Sequence, residues 1–332
     1  MYRLQLYHTV HPQQVGASSV MTAALLRGAA DGVAQVSRLL LSCICLSACP
    51  LGEALSSTSK PQPPRPARPV HVPDCVHATV PSEQERPRTI IVGDVHGCLE
   101  ELVDLLRLCE YDESTCRVVL VGDLVNKGPL SAETVAFARA SGFACVRGNH
   151  DDAALFAWER RQKAMREGES ISAADAKYAY TDKFSQADVA FLRGLPYTLH
   201  LPSEATLVVH AGLVPGMALS EQPLLGMYTM RDVLRVNDDT EPDALWQWTP
   251  KHEGDPWALI WGPEAATALG VEPVRHVVFG HDAKRGLQDG THAIGLDTGC
   301  CYGKRLSALV LPERRLVSVE ARRTYSKPAS SD

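Results

Sequence analysis

Five short polar clusters, each following an apolar run, constrain this chain more than any other feature. They are GDVHG (Gly93 to Gly97), GDLVNKGP (Gly122 to Pro129), RGNHD (Arg147 to Asp151), VHAG (Val209 to Gly212) and FGHDA (Phe279 to Ala283). The runs ahead of them, such as Thr89 to Val92, Arg117 to Val121 and Val274 to Phe279, read as buried strands. Between the first runs, Leu99, Leu102, Leu105, Leu106 and Cys109 recur at helical spacing, and further helices are predicted over Ser131 to Ala140 and Asp152 to Arg166. Later strands follow with little helix between them: Tyr197 to Leu201, Thr206 to Val209, Ala293 to Gly295, and a hairpin of Leu306 to Leu311 with Leu316 to Val319. This order predicts a mixed α/β sheet system and argues against a purely doubly wound one. Loops at the carboxyl ends of such strands present side chains into a common crevice, so the five clusters suit a single site.

The residue types say what kind of site. Asp94, His96, Asp123, Asn149, His210 and His281 offer oxygen and imidazole donors without a thiolate, a set that suits Mn, Fe or Zn better than a structural Cys-type zinc cluster. Asp94 and His96 are two apart, so they share a side of an extended segment. Asp123, closing the neighbouring strand, is the natural carboxylate to bridge two ions. A lone His is usually structural or solvent-facing, and His8, His11, His71, His77, His200, His252, His276 and His292 take that reading. No GxSxG elbow and no P-loop pattern is present to suggest a covalent or nucleotide-cradle alternative.

Together the clusters resemble the calcineurin-like metallophosphoesterases of the phosphoprotein phosphatase superfamily, over about Thr89 to Ala321. GDLVNKGP departs from the protein Ser/Thr phosphatase pattern GD-x-VDRG: Asn126 stands where those enzymes have Asp, and Lys127 where they have Arg. That replacement, with GHDAKRGLQ (Gly280 to Gln288), GLDTGCCYGKRL (Gly295 to Leu306), MYTMRDV (Met227 to Val233) and PWALIWGP (Pro256 to Pro263), is similar to the ApaH-like phosphatases, relatives of the bacterial diadenosine tetraphosphate hydrolases. The resemblance implies a four-layer α-β-β-α sandwich with mixed sheets. It implies two divalent metal ions (Mn, Fe, Zn or Co), one on Asp94, His96 and Asp123, the other on Asp123, Asn149, His210 and His281. The implied reaction is hydrolysis of a phosphoester or phosphoanhydride by attack of a metal-bound hydroxide. Protein Ser/Thr phosphatase, bis(5'-nucleosyl)-tetraphosphatase, polyphosphatase and RNA cap hydrolase are the alternative specific activities. The corresponding substrates are a nucleotide, a polyphosphate or a phosphoprotein. A catalytically silent phosphate-binding scaffold is the rival from another class; its mark would be a lost ligand, and all six positions are filled.

His150, beside Asn149, is the candidate general acid for the leaving oxygen. In the protein phosphatases the Asp at the Asn126 position orients that His; Asn126 can hydrogen-bond but carries no charge. Either His150 is less basic here, or Asp151 or Asp152 assists it. Leaving groups that are already good, such as phosphates in an anhydride, depend least on strong protonation, which favours an anhydride over a Ser/Thr phosphoester. Lys127 and Arg231 are the candidates for binding non-bridging phosphate oxygens. Lys284 and Arg285 read as a solvated loop, with substrate contact the alternative; Trp246, Trp248, Trp257 and Trp261 offer faces for stacking a nucleobase, with Trp257 and Trp261 reading first as core.

Composition bounds the remainder. The net charge of −6 excludes a protein that holds nucleic acid by bulk electrostatics. Through residue 89 there are eight Lys/Arg against five acids, which leaves −9 on the rest. Residues 1–58 carry an apolar run, Leu39 to Cys49, too short for a transmembrane helix and fitting a targeting segment, with membrane or translocon contact through it. Entry to the secretory pathway or a membrane-associated organelle is the leading expectation, with mitochondrion or cytoplasm as alternatives. Residues 59–88 are Pro-rich and read as a linker, 89–322 as the catalytic domain, and 323–332 as a polar tail. The cysteines show no disulfide framework.

Overall fold

In each central strand the apolar run continues without a polar alternate, because both faces are buried. This is clearest in β2 (Arg88–Val92), where Ile90 and Val92 face a layer of helices while Ile91 faces a second sheet. The same alternation holds in β3 (Cys116–Leu120), β6 (Thr206–Val209) and β10 (His276–Phe279). The structure, a computed structural model, describes residues 72–81, 86–236 and 245–328. The targeting segment expected over residues 1–58 lies outside these, and no helix among the described residues is long and apolar enough to cross a membrane.

One sheet takes β2, β3 and β4 (Ala144–Cys145) in parallel, with β13 (Arg305–Leu311) antiparallel to β2 and β14 (Arg315–Glu320) at the edge. Its parallel strands are linked by α1 (Leu99–Leu108) and α2 (Ser131–Ala140), and α3 (Asn149–Glu167) and the short α4 (Ala173–Ala176) follow β4. Helices α1, α2 and α3 pack on its outer face with α5 (Gln186–Gly194) through Leu102, Leu105, Val135, Leu155 and Leu192. The second sheet runs β1 (His77–Thr79), β5 (Thr198–Leu201), β6, β10, β12 (Ala293–Gly295), β11 (Gln288–Asp289). Between the sheets Ile91, Val119, Val121 and Val146 meet Leu199, Val208, Val278 and Ile294. Each such fully buried side chain contributes roughly 1.5–3 kcal/mol. The outer face of the second sheet is covered by the short helices α6 (Leu224–Thr229), α7 (Trp257–Ile260) and α8 (Pro263–Ala268), and by a three-stranded sheet of β7 (Asp232–Arg235), β8 (Trp246–Thr249) and β9 (Asp255–Pro256). The expected α-β-β-α order is therefore present, its last layer mixed.

Three boundaries differ from the sequence expectation. The stretch 59–88 is not all linker: His77, Ala78 and Thr79 pair in parallel with Thr198, Leu199 and His200, and Val80 is buried between the sheets. Prolines at 73 and 81 bracket this strand without interrupting it, and its edge position tolerates them. At the far end, part of the stretch read as a polar tail packs down, since the Tyr325 hydroxyl donates to Glu101 Oε1 at 2.6 Å and the Tyr325 and Ser326 amides donate to the Cys301 carbonyl. Finally, α3 begins at Asn149, earlier than expected, because two carboxylates serve its free N–H groups. Asp123 accepts from the His150 amide and Asp151 from that of Gly148. All seven described cysteines are free, in line with the absence of a disulfide framework.

Candidate metal centre

The carboxyl ends of β2, β3, β4, β6 and β10 lie together, and each delivers one of the five polar clusters. Strain marks the spot. Of the non-glycine residues with positive φ, His96 (48°), Asp123 (52°), Asn126 (73°), Lys127 (69°) and His281 (68°) all belong to these loops. Gly148 and Gly280 permit the close approach, for a Cβ on either would collide with the carboxylate of Asp123 or Asp94 respectively.

The donors converge on Asp123. Its Oδ2 lies 3.5 Å from His96 Nε2 and 4.0 Å from His150 Nε2, and its Oδ1 lies 3.5 Å from His210 Nε2. Asp94, Asp123 and His210 offer donor atoms within 4.8 Å of one another, as do His96, Asp123 and His150. Asn149 Oδ1 sits 3.2 Å from His210 Nε2 and 3.1 Å from His281 Nδ1. All six residues expected from sequence thus gather in one place, with Asp123 common to both donor groups.

Each imidazole is oriented from behind. His96 Nδ1 donates to the Val125 carbonyl at 3.0 Å and His210 Nδ1 to that of Val121 at 2.8 Å, so both present Nε2 lone pairs inward. His281 is reversed: Nε2 donates to the Thr229 carbonyl at 3.1 Å and Nδ1 faces in. Fixing the tautomer through the outer nitrogen is how proteins prepare His for a metal. Burial holds all three imidazoles below the ordinary His range, His210 at about 4, so they stay neutral.

The carboxylates are crowded in the opposite sense. Burial raises Asp123 to about 7 against the pull of Lys127, and raises Asp94 well above the usual range, helped by Asp297 and then Asp123. Inward lone pairs and buried carboxylates without enough positive charge are the donor chemistry that divalent cations satisfy. The residues fit the metal the resemblance implies.

This has a consequence for the metal-free protein. The native Asp123 keeps a proton up to pH about 7, whereas an unfolded Asp loses it near pH about 4. At Asp123 the native state binds more protons across that window, so this group's contribution to stability falls as pH rises, while the buried neutral His96, His210 and His281 pull the other way below the ordinary His range. Chelator-treated protein is expected to gain more Tm from added Mn2+ at pH 7.5 than at pH 5, where Asp123 must first give up its proton to the solvent. Thermal scans at the two pH values check this; a gain independent of pH would contradict it.

Around these donors, Lys127 Nζ lies 3.0 Å from His96 Nε2 and 5.1 Å above the Tyr302 ring, so the sequence candidate does reach the site. Burial acts to lower the Lys127 pKa, but Asp123, Cys301 and Tyr302 together outweigh it and the group stays protonated. Arg231 is less direct: its guanidinium donates to the Pro250 carbonyl at 2.6 Å, and its charge is felt at Asp123 and His281. Arg285 bridges Asp282 and Asp232, a structural role in place of the solvated loop expected. Trp257 and Trp261 are buried, as core residues should be, whereas Trp246 and Trp248 are only partly so.

One residue escaped the sequence reading and another takes a different role from the one expected. Asp297 is buried beyond β12 and raises Asp94; the signal was available, an Asp after an apolar strand like the others. Asp151 does not assist His150. Its Oδ2 accepts from the Asp123 and Gly148 amides and its Oδ1 from Leu124, tying the Asp123 loop to the start of α3. Asp152 faces Arg147 and Tyr228. In Asp151→Asn the amide NH2 must confront at least one of those backbone N–H groups whichever way it turns. A loss of about 1–3 kcal/mol in urea unfolding is expected, and an unchanged midpoint would contradict the role.

Comparison with known proteins agrees with this geometry. Residues 87–285 match the family described as calcineurin-like phosphoesterase. The symmetrical bis(5'-nucleosyl)-tetraphosphatase of Methylobacillus flagellatus is 30% identical over 276 residues, spanning 70% of this chain and 94% of the relative. Serine/threonine-protein phosphatase 1 of Salmonella typhimurium is 27% identical over 226 residues, spanning 65% of this chain and 88% of the relative. A crystal structure described provisionally as a diadenosine tetraphosphatase is 34% identical, with a TM-score of 0.60 over 74% of this chain and 98% of that one.

Proposed function

The chain belongs to the calcineurin-like phosphoesterase family and is a hydrolase of phosphoesters or phosphoanhydrides, and from that premise we propose that it cleaves a phosphoanhydride of a nucleotide polyphosphate, using two divalent ions. The observation that carries the metal part is the convergence of Asp94, His96, Asp123, Asn149, His210 and His281 around one shared carboxylate. Held there, a pair of ions such as Mn, Fe, Zn or Co supplies Lewis-acid polarisation of the phosphoryl group and activation of water. His96 and His150 lie by one oxygen of Asp123 and His210 by the other, Asp94 is close to both His96 and His210, and Asn149 reaches His210 and His281.

The preference for an anhydride comes from Asn126. Its Oδ1 accepts the Lys127 amide at 2.9 Å, which directs its NH2 to His150 Nδ1 at 2.8 Å. A donor at Nδ1 leaves His150 neutral with its proton on Nε2, the nitrogen turned toward Asp123. Burial, reinforced by Lys127, keeps its pKa well below the ordinary range. With its side chain 22% exposed, His150 can offer Nε2–H to a leaving oxygen. A neutral imidazole is a weak acid, adequate for a phosphate leaving group and poor for a serine alkoxide. Lys127 brings an ammonium to the same place, a point charge suited to phosphate oxygens. The names borne by the relatives, tetraphosphatases most of all, support this reading.

The test is one substrate panel at fixed Mn2+, Co2+ or Zn2+: diadenosine tetraphosphate, inorganic polyphosphate, capped RNA, p-nitrophenyl phosphate and a phosphoserine peptide. The proposal expects kcat/KM highest on an anhydride. Faster turnover of the phosphoserine peptide would favour the protein phosphatase alternative, and no turnover of any would favour a silent scaffold.

A further inference from the structure

Behind the catalytic loops, on the helix side of the sheet, Cys98, Glu101 and Cys300 bring three donor atoms within 4.8 Å of one another. All three residues are buried to about 1% exposure. Cys98 immediately precedes α1 and Glu101 lies in its first turn, so the three-residue spacing stacks thiol and carboxylate on one face. Cys300 opens a turn set between Gly299 and Gly303, both at positive φ.

The ordinary explanations leave a remainder. Cys98 makes no side-chain cap to the helix, so the pair is not a capping box. Glu101 Oε1 is well served by the Tyr325 hydroxyl at 2.6 Å and the Arg322 amide at 3.0 Å. Its other oxygen, Oε2, is buried with no hydrogen-bond partner. An unpartnered carboxylate oxygen buried beside two thiols is costly, and a cation relieves it.

We propose that Cys98, Glu101 and Cys300 form a closed structural site for one thiophilic divalent cation of the zinc class, distinct from the catalytic donors. Two thiolates and a carboxylate are a soft, anionic set that selects zinc-like ions over Mn2+. Binding forms two metal–sulfur bonds and one metal–oxygen bond and releases the two thiol protons to solvent. Three donors leave one tetrahedral position, and Cys301, next in the chain and also buried, supplies a further thiol close by. Such an ion would pin the start of α1, two residues after His96, to the turn that follows Asp297.

The test uses a ligand signature the catalytic centre lacks, since its donors are oxygen and nitrogen only. Full-length protein, reduced and stripped of metal, is first saturated with Mn2+ and then titrated with Cd2+ while thiolate-to-cadmium charge-transfer absorption is followed. The expected result is a band saturating near one Cd2+ per chain. It should be lost in Cys300→Ser, kept in Cys75→Ser, and shifted to at least tenfold weaker affinity in Glu101→Gln. No band in folded wild-type protein overturns the proposal, as does a band that survives Cys300→Ser or an affinity unmoved by Glu101→Gln. Should Cys300→Ser fail to fold, the wild-type and Glu101→Gln titrations decide.

Discussion

Asp123→Asn is expected to lower kcat/KM by at least about 1,000-fold on any substrate the enzyme accepts, a loss of about 4 kcal/mol in transition-state stabilisation. Both oxygens of Asp123 are in use, one facing His96 and His150 and the other facing His210. An amide offers one oxygen and turns an NH2 toward a lone pair, so the donor groups on its two sides are no longer joined. The bound Mn2+ should fall from two per chain to one or none. The same change removes a buried charge, so the metal-free variant is expected to be at least as stable as metal-free wild type at pH 7.5. Loss of activity with retained or improved Tm separates a site effect from misfolding. Unchanged turnover with two ions still bound would remove Asp123 from the centre.

Loss of His150 should be graded by the leaving group. His150→Ala is expected to cost about 100-fold on diadenosine tetraphosphate and about 10,000-fold on a phosphoserine peptide, the span usual for general acids. Asn126→Asp should act the other way. A carboxylate accepting from Nδ1–H in place of an amide donating to Nδ1 makes His150 more basic and stabilises its charged form. The ratio of phosphoserine to anhydride turnover is then expected to rise about tenfold. Equal effects on both substrates in both variants would show that His150 does not protonate the leaving group.

Much of this was legible in the sequence because strand ends and ligands coincide. An apolar run buried on both faces marks a central strand, and a polar cluster after it marks the edge where function can sit, so the order of five such pairs predicted a mixed sheet system and six donors, while the two-sheet sandwich came from the resemblance. What remained hidden was long-range. Asp151 looked free to assist His150, because nothing local shows that its oxygens are spent on the amides of Asp123, Leu124 and Gly148. Asp297 follows a strand legible in the sequence, Ala293 to Gly295, but the GLDTG there serves only as a mark of resemblance, and its closeness to Asp94 is a long-range fact. The strand at His77–Thr79 was obscured by prolines, since an edge strand needs only one good neighbour and found it in β5. The geometry of Asn126 depended on the Lys127 amide orienting its side chain, a contact that composition cannot report.

The central claim, a divalent-metal centre built on Asp123, is tested most directly by counting ions against turnover. Metal-free protein is titrated with Mn2+, chosen because it favours oxygen and nitrogen donors over thiols, while bound ion and diadenosine tetraphosphate hydrolysis are measured on the same samples. The account predicts no turnover without metal and full activity at two bound Mn2+ per chain. Undiminished hydrolysis by the fully stripped protein, or full activity in Asp123→Asn, would contradict it.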